Sequence, residues 1–511
     1  MSRNSQDASG NLPPSKAEKL EYPWALAWIL ALSLGIKLNL LGWNEGEYTD
    51  GIIQLTLWQS PIVFFPPGYT VFTTVFEWVM GDAVRAGRAA SVFASTATLA
   101  IIYRMAVTIL GDRRQALWAV GFLALSPVFN RWSLRVMSDS LFCLAFVGCA
   151  GEWMRVRRDG RRTVQGLAAL CGLATLVRYQ GLFFVPFIFA AWVKKKRLGE
   201  SRNPYSLQTL IGGMLAAIPW VSLAAWIGLR GFGHPQQFAE RAAMGWTTTL
   251  IAYGTSFETY LLYFPWAITY GLAFCGITGC IRLWMGNCEE RRFMRLFAVA
   301  ALVFLIIHSA FLSFQYRYLL PLVPLWCVAA ARGHAYWIER IRNTKFKNIF
   351  SAAVLLNLAL MTTAVLYGQR ATFGDLVESA KYLREVGLSS RVLSDETYGA
   401  HATNIKMKFW SGRRIETLGN TEPHAGDLVV LHNAYTPNLE EAYRQLQERF
   451  EVVILRRWSA ATDPGRFITL PLLPDIMVNP PIPLTSNPEC MAFRFAPQAY
   501  VSVIFKLNEK R

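Results

Sequence analysis

The sequence predicts an α-helical multispan membrane protein with about 11 transmembrane helices and a C-terminal extracytoplasmic α/β domain. Three observations carry that expectation. Between Leu20 and Tyr367 the chain holds repeated apolar segments of spanning length, such as Ala25–Leu41, Leu207–Leu229 and Arg295–Phe311. Basic clusters at Arg113–Arg114, Arg155–Arg162, Lys194–Arg197, Arg291–Arg295 and Arg340–Lys347 fall between those segments, where cytoplasmic loops carry positive charge. From Arg370 onward the long apolar runs stop, and 17 basic residues nearly balance 16 acidic ones, as in a small water-soluble unit.

The elements follow in order. Residues 1–22 lack an apolar core and read as a disordered cytoplasmic tail, not as a cleaved signal. The membrane region is expected over 23–369. Its first span runs from Pro23 to Gly42 and delivers the acidic segment Trp43–Pro67 to the outer face. Gly68–Met80 is apolar but short, suited to an interfacial or re-entrant position. Further spans are expected at about 87–110, 115–131, 137–154, 163–178, 181–193, 207–229, 258–281, 295–313, 318–337 and 348–368. With that count each inward turn meets a basic cluster, and losing one span would move Lys194–Arg197 to the wrong side. The N-terminus then lies in the cytoplasm, and residues 370–511 and the loop Arg230–Phe257, a lid candidate, lie outside the inner membrane.

The C-terminal region alternates helix and strand patterns. Asp375–Val386 has helical periodicity, and Arg391–Ser394 and Asp427–His432 read as strands. Asn438–Phe450 is an amphipathic helix leading into the strand Glu451–Leu455. This pattern predicts a partly parallel sheet covered by helices.

Composition narrows function. The chain's formal charge of +17 resides almost wholly in the membrane region, so it indicates membrane-surface loops and no nucleic-acid partner. Of eight cysteines only Cys490 lies beyond residue 370, and no CxxC pair occurs, which argues against a disulfide framework or a zinc site. The six histidines are scattered without ligand spacing. No cofactor is demanded; a divalent metal ion could still join the external carboxylates to a phosphate.

The residues able to do chemistry gather on the predicted outer side. Glu45, Glu47 and Asp50 put three carboxylates within six residues, each a candidate general base or a solvated loop charge; in a helix Glu47 and Asp50 share a face. Asp139 stands at the outer start of a span, as a helix cap or an active-site acid. Arg178 and Arg317, the latter beside Tyr316, stand at the outer ends of two others. Arginine forks bind phosphate oxygens and stay charged in a low dielectric, so this pair implies a lipid-linked phosphate substrate, with snorkelling to headgroups as the plain alternative. Lys37 fits a snorkelling role better, with phosphate binding as its other use.

The acidic first-loop motif, Phe65-Pro66-Pro67-Gly68-Tyr69, Arg88 with Ser91, Ser126-Pro127, and the motifs Arg178–Gly181 and Arg317–Pro321 together resemble the bacterial GT-C glycosyltransferases. Within them the resemblance is to the protein mannosyltransferase-like and aminoarabinose transferase-like group, over roughly residues 20–370. It implies a polyprenyl-phosphate-linked sugar donor, an acceptor hydroxyl on a lipid, glycan or protein, contact with membrane lipids, and an inverting single displacement. Glu45 is the first candidate for the catalytic base, with Asp50 and Glu47 behind it and Asp139 as a further catalytic candidate, and Arg178, Arg317, Tyr316, Lys37 and Arg88 are the candidates for facing the phosphate. Two departures stand out: Asn44 replaces the family's first acid, and Phe65 replaces the lysine that often precedes the proline pair. A lipid or sugar transporter is the rival expectation, but it should carry polar residues through the middle of several spans. A non-catalytic scaffold would tolerate loss of the acids and arginines.

Overall fold

The computed structural model describes residues 16–59, 65–159, 162–197, 207–230, 245–309, 316–368, 370, 372–386, 390–394, 402–418, 421–432, 439–461 and 499–510. Helix α1 (Lys16–Asn39) begins ahead of Pro23 and contains that proline. A loop leads to the short α2 (Thr49–Leu55), then to α3 (Gly68–Met80) and α4 (Ala83–Leu110). Two Gly-Asp pairs punctuate this stretch. Gly81 (φ 65°) and Gly111 (φ 69°) end α3 and α4 in the left-handed region, and the following Asp82 and Asp112 cap α4 and α5 (Arg113–Ala124). Glycine meets the positive φ without strain, and the aspartate oxygens accept the free N–H groups of Arg85 at 2.7 Å and Arg114 at 2.8 Å.

The expected span at 115–131 is instead broken at Ser126-Pro127, where α5 stops and α6 (Pro127–Ser133) starts. Proline cannot continue a helix from within but is suited to its first turn. From α6 the chain bends by 119° into α7 (Ser138–Asp159). Helix α8 (Arg162–Val177), a 3₁₀ turn (Tyr179–Phe184), α9 (Val185–Arg197) and α10 (Leu207–Arg230) follow. Residues 231–244, part of the expected lid, lie outside the described residues, and its remainder belongs to α11 (Trp246–Ala267). The expected span 258–281 is also two pieces. Pro265 lies in the last turn of α11, and Thr269, at φ 77°, separates it from α12 (Tyr270–Trp284). Helix α13 (Cys288–Ser309), a second 3₁₀ turn (Tyr316–Leu322), α14 (Val323–Arg340) and α15 (Thr344–Gly368) complete the bundle.

Its core is aromatic: Phe122, Phe129, Phe142, Phe146, Phe184, Phe293 and Phe304 are buried in one continuous cluster. Helices α12 and α14 pack backbone to backbone. A Cβ on Gly279 would strike Ala329, and one on Gly333 would strike Cys275. Outward faces remain apolar, with Leu215, Val221, Leu356 and Leu360 all exposed. By length and composition four described helices can cross a membrane, α4, α10, α13 and α15, and the bent α6 and α7 together give a fifth. The chain is an integral membrane protein.

After α15 come α16 (Gly374–Glu385), β1 (Val392–Ser394), α17 (Ala402–Ser411), β2 (Ile415–Thr417), β3 (Leu428–His432), α18 (Leu439–Arg449), β4 (Glu451–Ala461) and β5 (Ala499–Asn508). The strands form one mixed sheet in the order β2-β1-β3-β5-β4, parallel on both sides of β1 and antiparallel from β3 onward. Alternate residues serve opposite faces, as a pleat requires. Val392, Val430 and Ile504 pack with Leu376, Leu383 and Met407 on one side; Leu393, Val429, Leu431 and Phe505 pack with Leu446 on the other. The expected strand at Glu451–Leu455 runs on to Ala461, because β5 lies antiparallel beside it over that length.

Candidate active site

The loop Leu40–Tyr48 is held by arginines acting on backbone oxygens. Arg88 of α4 donates from Nη1 to Leu41 O at 2.7 Å and, more weakly, from Nη2 to Gly46 O at 3.5 Å. Arg135, wholly buried in the turn between α6 and α7, donates to Gly46 O at 2.6 Å. Its guanidinium also lies 5.1 Å from the Tyr48 ring. Gly46 presses against the backbone of Thr372 and Phe373, so tightly that a Cβ there would lie 2.7 Å from Thr372 O. Glu47 is sealed in the same clamp, with 0% exposure. Its Oε1 lies 2.5 Å from Arg88 Nε, and its Oε2 accepts the Val136 N–H at 3.2 Å. Both oxygens are engaged, so Glu47 and Arg88 hold the loop in place.

Beyond the clamp, α2 carries Asp50 to Arg317 of the second 3₁₀ turn, and the two form an ion pair. Gln54 of α2 fixes the approach by accepting the Ser138 N–H at 3.1 Å. A second pair joins Asp139 of α7 to Arg178, the residue that ends α8. Tyr318 links the two pairs: its ring centre is 5.4 Å from the Arg317 guanidinium and 5.8 Å from that of Arg178. His308 stacks on that ring at 4.6 Å, and Trp132 lies 5.8 Å from Arg317.

Each pair leaves bonding capacity unused. Asp139 Oδ2 and Arg317 Nε are buried and have no hydrogen-bond partner, and the Asp50 side chain keeps 33% exposure. Buried polar atoms are usually satisfied, and these two are among several such atoms in the described residues. No helix N–H caps onto Asp139 among the described bonds; its carboxylate faces Arg178.

The other expected residues fall elsewhere. Glu45 stands apart, half exposed, with Arg370 at 3.6 Å. Lys37 does not snorkel: it is buried, donates to Ser95 Oγ at 3.1 Å, and lies 4.9 Å from the Phe129 ring. Tyr316 opens the 3₁₀ turn before Arg317, and its side chain is not among those described. The sequence reasoning did not select Arg135, Arg131, Trp132, Tyr48 or Tyr318. Arg131 donates to Tyr48 Oη at 3.1 Å, and two arginines, Arg131 and Arg135, close together in an otherwise apolar stretch were the available hint. Among the described residues no group of three or more His, Cys, Asp or Glu is arranged to hold a metal ion.

An apolar groove of about 880 Å³ runs between α3, α4, α7, α8 and α10. At one end it is lined by Pro67, Leu141 and Val177, immediately beside Asp139 and Arg178; at the other by Arg104, Glu152 and Arg155.

A helical membrane bundle with paired acids and arginines beside an apolar groove invites comparison with known proteins, which speak to part of the sequence and to the fold. Residues 65–223 match the family described as dolichyl-phosphate-mannose-protein mannosyltransferase. Among solved structures, ArnT from Cupriavidus metallidurans bound to undecaprenyl phosphate aligns with 87% of this chain and 97% of its own, at a TM-score of 0.50 and 11% identity. At that identity the likeness is one of fold. The apo form of ArnT gives a TM-score of 0.48 at 11% identity, covering 86% of this chain and 96% of its own. No curated protein matches the sequence.

Proposed function

We propose that the protein transfers a sugar from a polyprenyl-phosphate carrier to a hydroxyl of a lipid, glycan or protein, by single inverting displacement on the extracytoplasmic side of the inner membrane. The observation that carries the reading is the placement of the Asp50/Arg317 and Asp139/Arg178 pairs on one tyrosine ring beside the apolar groove. The groove suits the isoprenoid chain, and the guanidiniums suit the phosphate where chain and water meet.

On donor binding, phosphate oxygens compete with the carboxylates for Arg317 and Arg178. A carboxylate released in this way becomes available as general base. Asp50 is the better base because it is reached from solvent, whereas Asp139 orients Arg178 from within the bundle. The acceptor proton passes to Asp50 as the acceptor oxygen bonds to the anomeric carbon. The bond from that carbon to the phosphate oxygen breaks, and the leaving phosphate's growing charge is met by the two arginines. The undecaprenyl phosphate in ArnT supports the carrier class.

The same reading takes the bundle as eleven crossings with a cytoplasmic N-terminus, an extracytoplasmic unit over residues 370–511 and a membrane domain over 23–369. A transporter should carry polar groups along the middle of the groove, whereas the charged residues here stand at its two ends. Protein in liposomes, given radiolabelled polyprenyl-phosphate sugars and a cell-envelope extract, should label the extract. Absence of transfer from every donor would overturn the proposal.

A further inference from the structure

Helix α2 carries Asp50, and the sheet-bearing unit meets that helix at both ends. Its last residue, Leu55, joins an apolar cluster with Tyr69, Val84 and Val136, against which Phe409 and Trp410 of α17 also pack. At its start stands Tyr48, whose backbone oxygen accepts the Ile52 N–H at 3.1 Å. The bundle holds the Tyr48 hydroxyl through Arg131 and the Tyr48 ring through Arg135. From the other unit comes Phe373, whose ring stands edge-on to that of Tyr48, with centres 5.8 Å apart and planes at 88°.

Phe373 is itself tightly fixed. It is buried just ahead of α16, and its backbone lies at φ 59°, in the left-handed region. A residue with a Cβ is disfavoured there, whereas glycine would adopt it freely, so the ring is retained against the preference of the backbone. Strain of this kind persists only where the surroundings impose it, and it gathers at functional positions. Lys406 of α17, wholly buried, places its ammonium 2.9 Å from the centre of the Phe373 ring, and the His432 ring lies 5.8 Å away. Asp375, 3.0 Å from His432 Nε2, completes the setting.

We infer that Phe373 is a positioning residue for Asp50: backed by Lys406, it fixes Tyr48 and with it the start of α2, so that the carboxylate meets Arg317. The inference rests on the glycosyl-transfer reading for the role of Asp50 and adds a task for the sheet-bearing unit, which becomes part of the catalytic framework. Tyr48 carries the path to the counter-ion as well. Its ring centre is 5.5 Å from that of Trp132, which lies 5.8 Å from the Arg317 guanidinium. Acid and arginine are therefore both referenced to one tyrosine.

The test uses the purified full chain in liposomes. Phe373→Leu should lower kcat about tenfold or more, because a misplacement of about 1 Å can cost about 10²-fold, and should leave the KM for donor unchanged. Phe373→Met keeps more of the buried volume, should show the same split, and guards against a folding defect in the leucine variant. Combined with Tyr48→Leu, the losses in kcat should fall short of multiplying, since both changes act along one path. Hydrogen exchange supplies a readout that needs no donor: amides of residues 46–55 should exchange faster in both Phe373 variants. A role confined to packing the sheet-bearing unit would leave those amides as they are. Unchanged kcat in both variants, losses that multiply fully with Tyr48→Leu, or wild-type exchange over 46–55 overturns the inference. If no donor supports transfer by the wild type, the glycosyl-transfer reading fails, and exchange over 46–55 alone decides whether Phe373 holds α2.

Discussion

Two acid–arginine assemblies lie within a few residues of each other in this chain, and they differ in what they leave undone. In the clamp, Glu47 is sealed and both of its oxygens are engaged, while Arg88 and Arg135 grip carbonyls of the first loop. In the candidate site, Asp50 is partly open to solvent, and Asp139 and Arg317 each retain an unpartnered atom. The residue types are the same. On the proposed reading, the access of solvent to Asp50 sets the open pairs apart from the sealed one, which is the reference against which they can be tested.

The largest effect is expected at the open pairs. Asp50→Asn should lower turnover by about 10²–10⁴-fold, as loss of a positioned general base does, with little change in melting temperature. Arg317→Ala should weaken both polyprenyl-phosphate binding and turnover, the latter by about 10²–10³-fold. Radiolabel transfer by protein quantified as folded measures both. The clamp should behave in the opposite way: Glu47→Gln leaves Arg88 buried without its counter-charge and should cost about 3–5 kcal/mol of stability, read by thermal unfolding in detergent. Retention of stability in Glu47→Gln together with loss of turnover would erase the contrast. Gly46→Ala forces the loop away from Thr372 and Phe373 and should cost about 1–3 kcal/mol by the same measurement.

The smallest effect concerns the sheet. Burial alone would raise the pKa of Asp427, but the Arg391 guanidinium, 2.6 Å from Oδ2, carries it below the ordinary carboxylate range. The stability it contributes is present above the unfolded carboxylate pKa and fades as the pH falls through the lower folded value. Asp427→Asn should therefore melt slightly lower than wild type at neutral pH, with the gap closing on acidification. A gap that widens in acid would reverse the assignment.

Much of this was legible in the sequence where the determinant is local. Gly68–Met80 emerges as a helix with the expected bounds, Asp427–His432 differs from the observed strand by a residue at one end, and Asp375–Val386 and Asn438–Phe450 differ from the observed helices by a residue at each end. Apolar length suggested unbroken spans, whereas Pro127 and Thr269 divide two of them, and a window average does not register a single backbone break. Strand β5 and the extra length of β4 depend on each other, so neither showed in its own segment. At the site, Asp50, Asp139, Arg178 and Arg317 were identified as chemistry-bearing, but their pairing was not. Nor could Glu47 be told from Asp50: partners 41 and 267 residues away decide which acid is sealed. Arg135 was missed because its role is read through a carbonyl, which every residue has.

The distance along the chain between Asp50 and Arg317 bears on biosynthesis. The aspartate leaves the ribosome 267 residues before its counter-ion, so a nascent or truncated chain ending before Arg317 carries an acid with no such cation to meet it. Such fragments cannot form the Asp50–Arg317 pair. The pair can form only after more than three fifths of the polypeptide has been made.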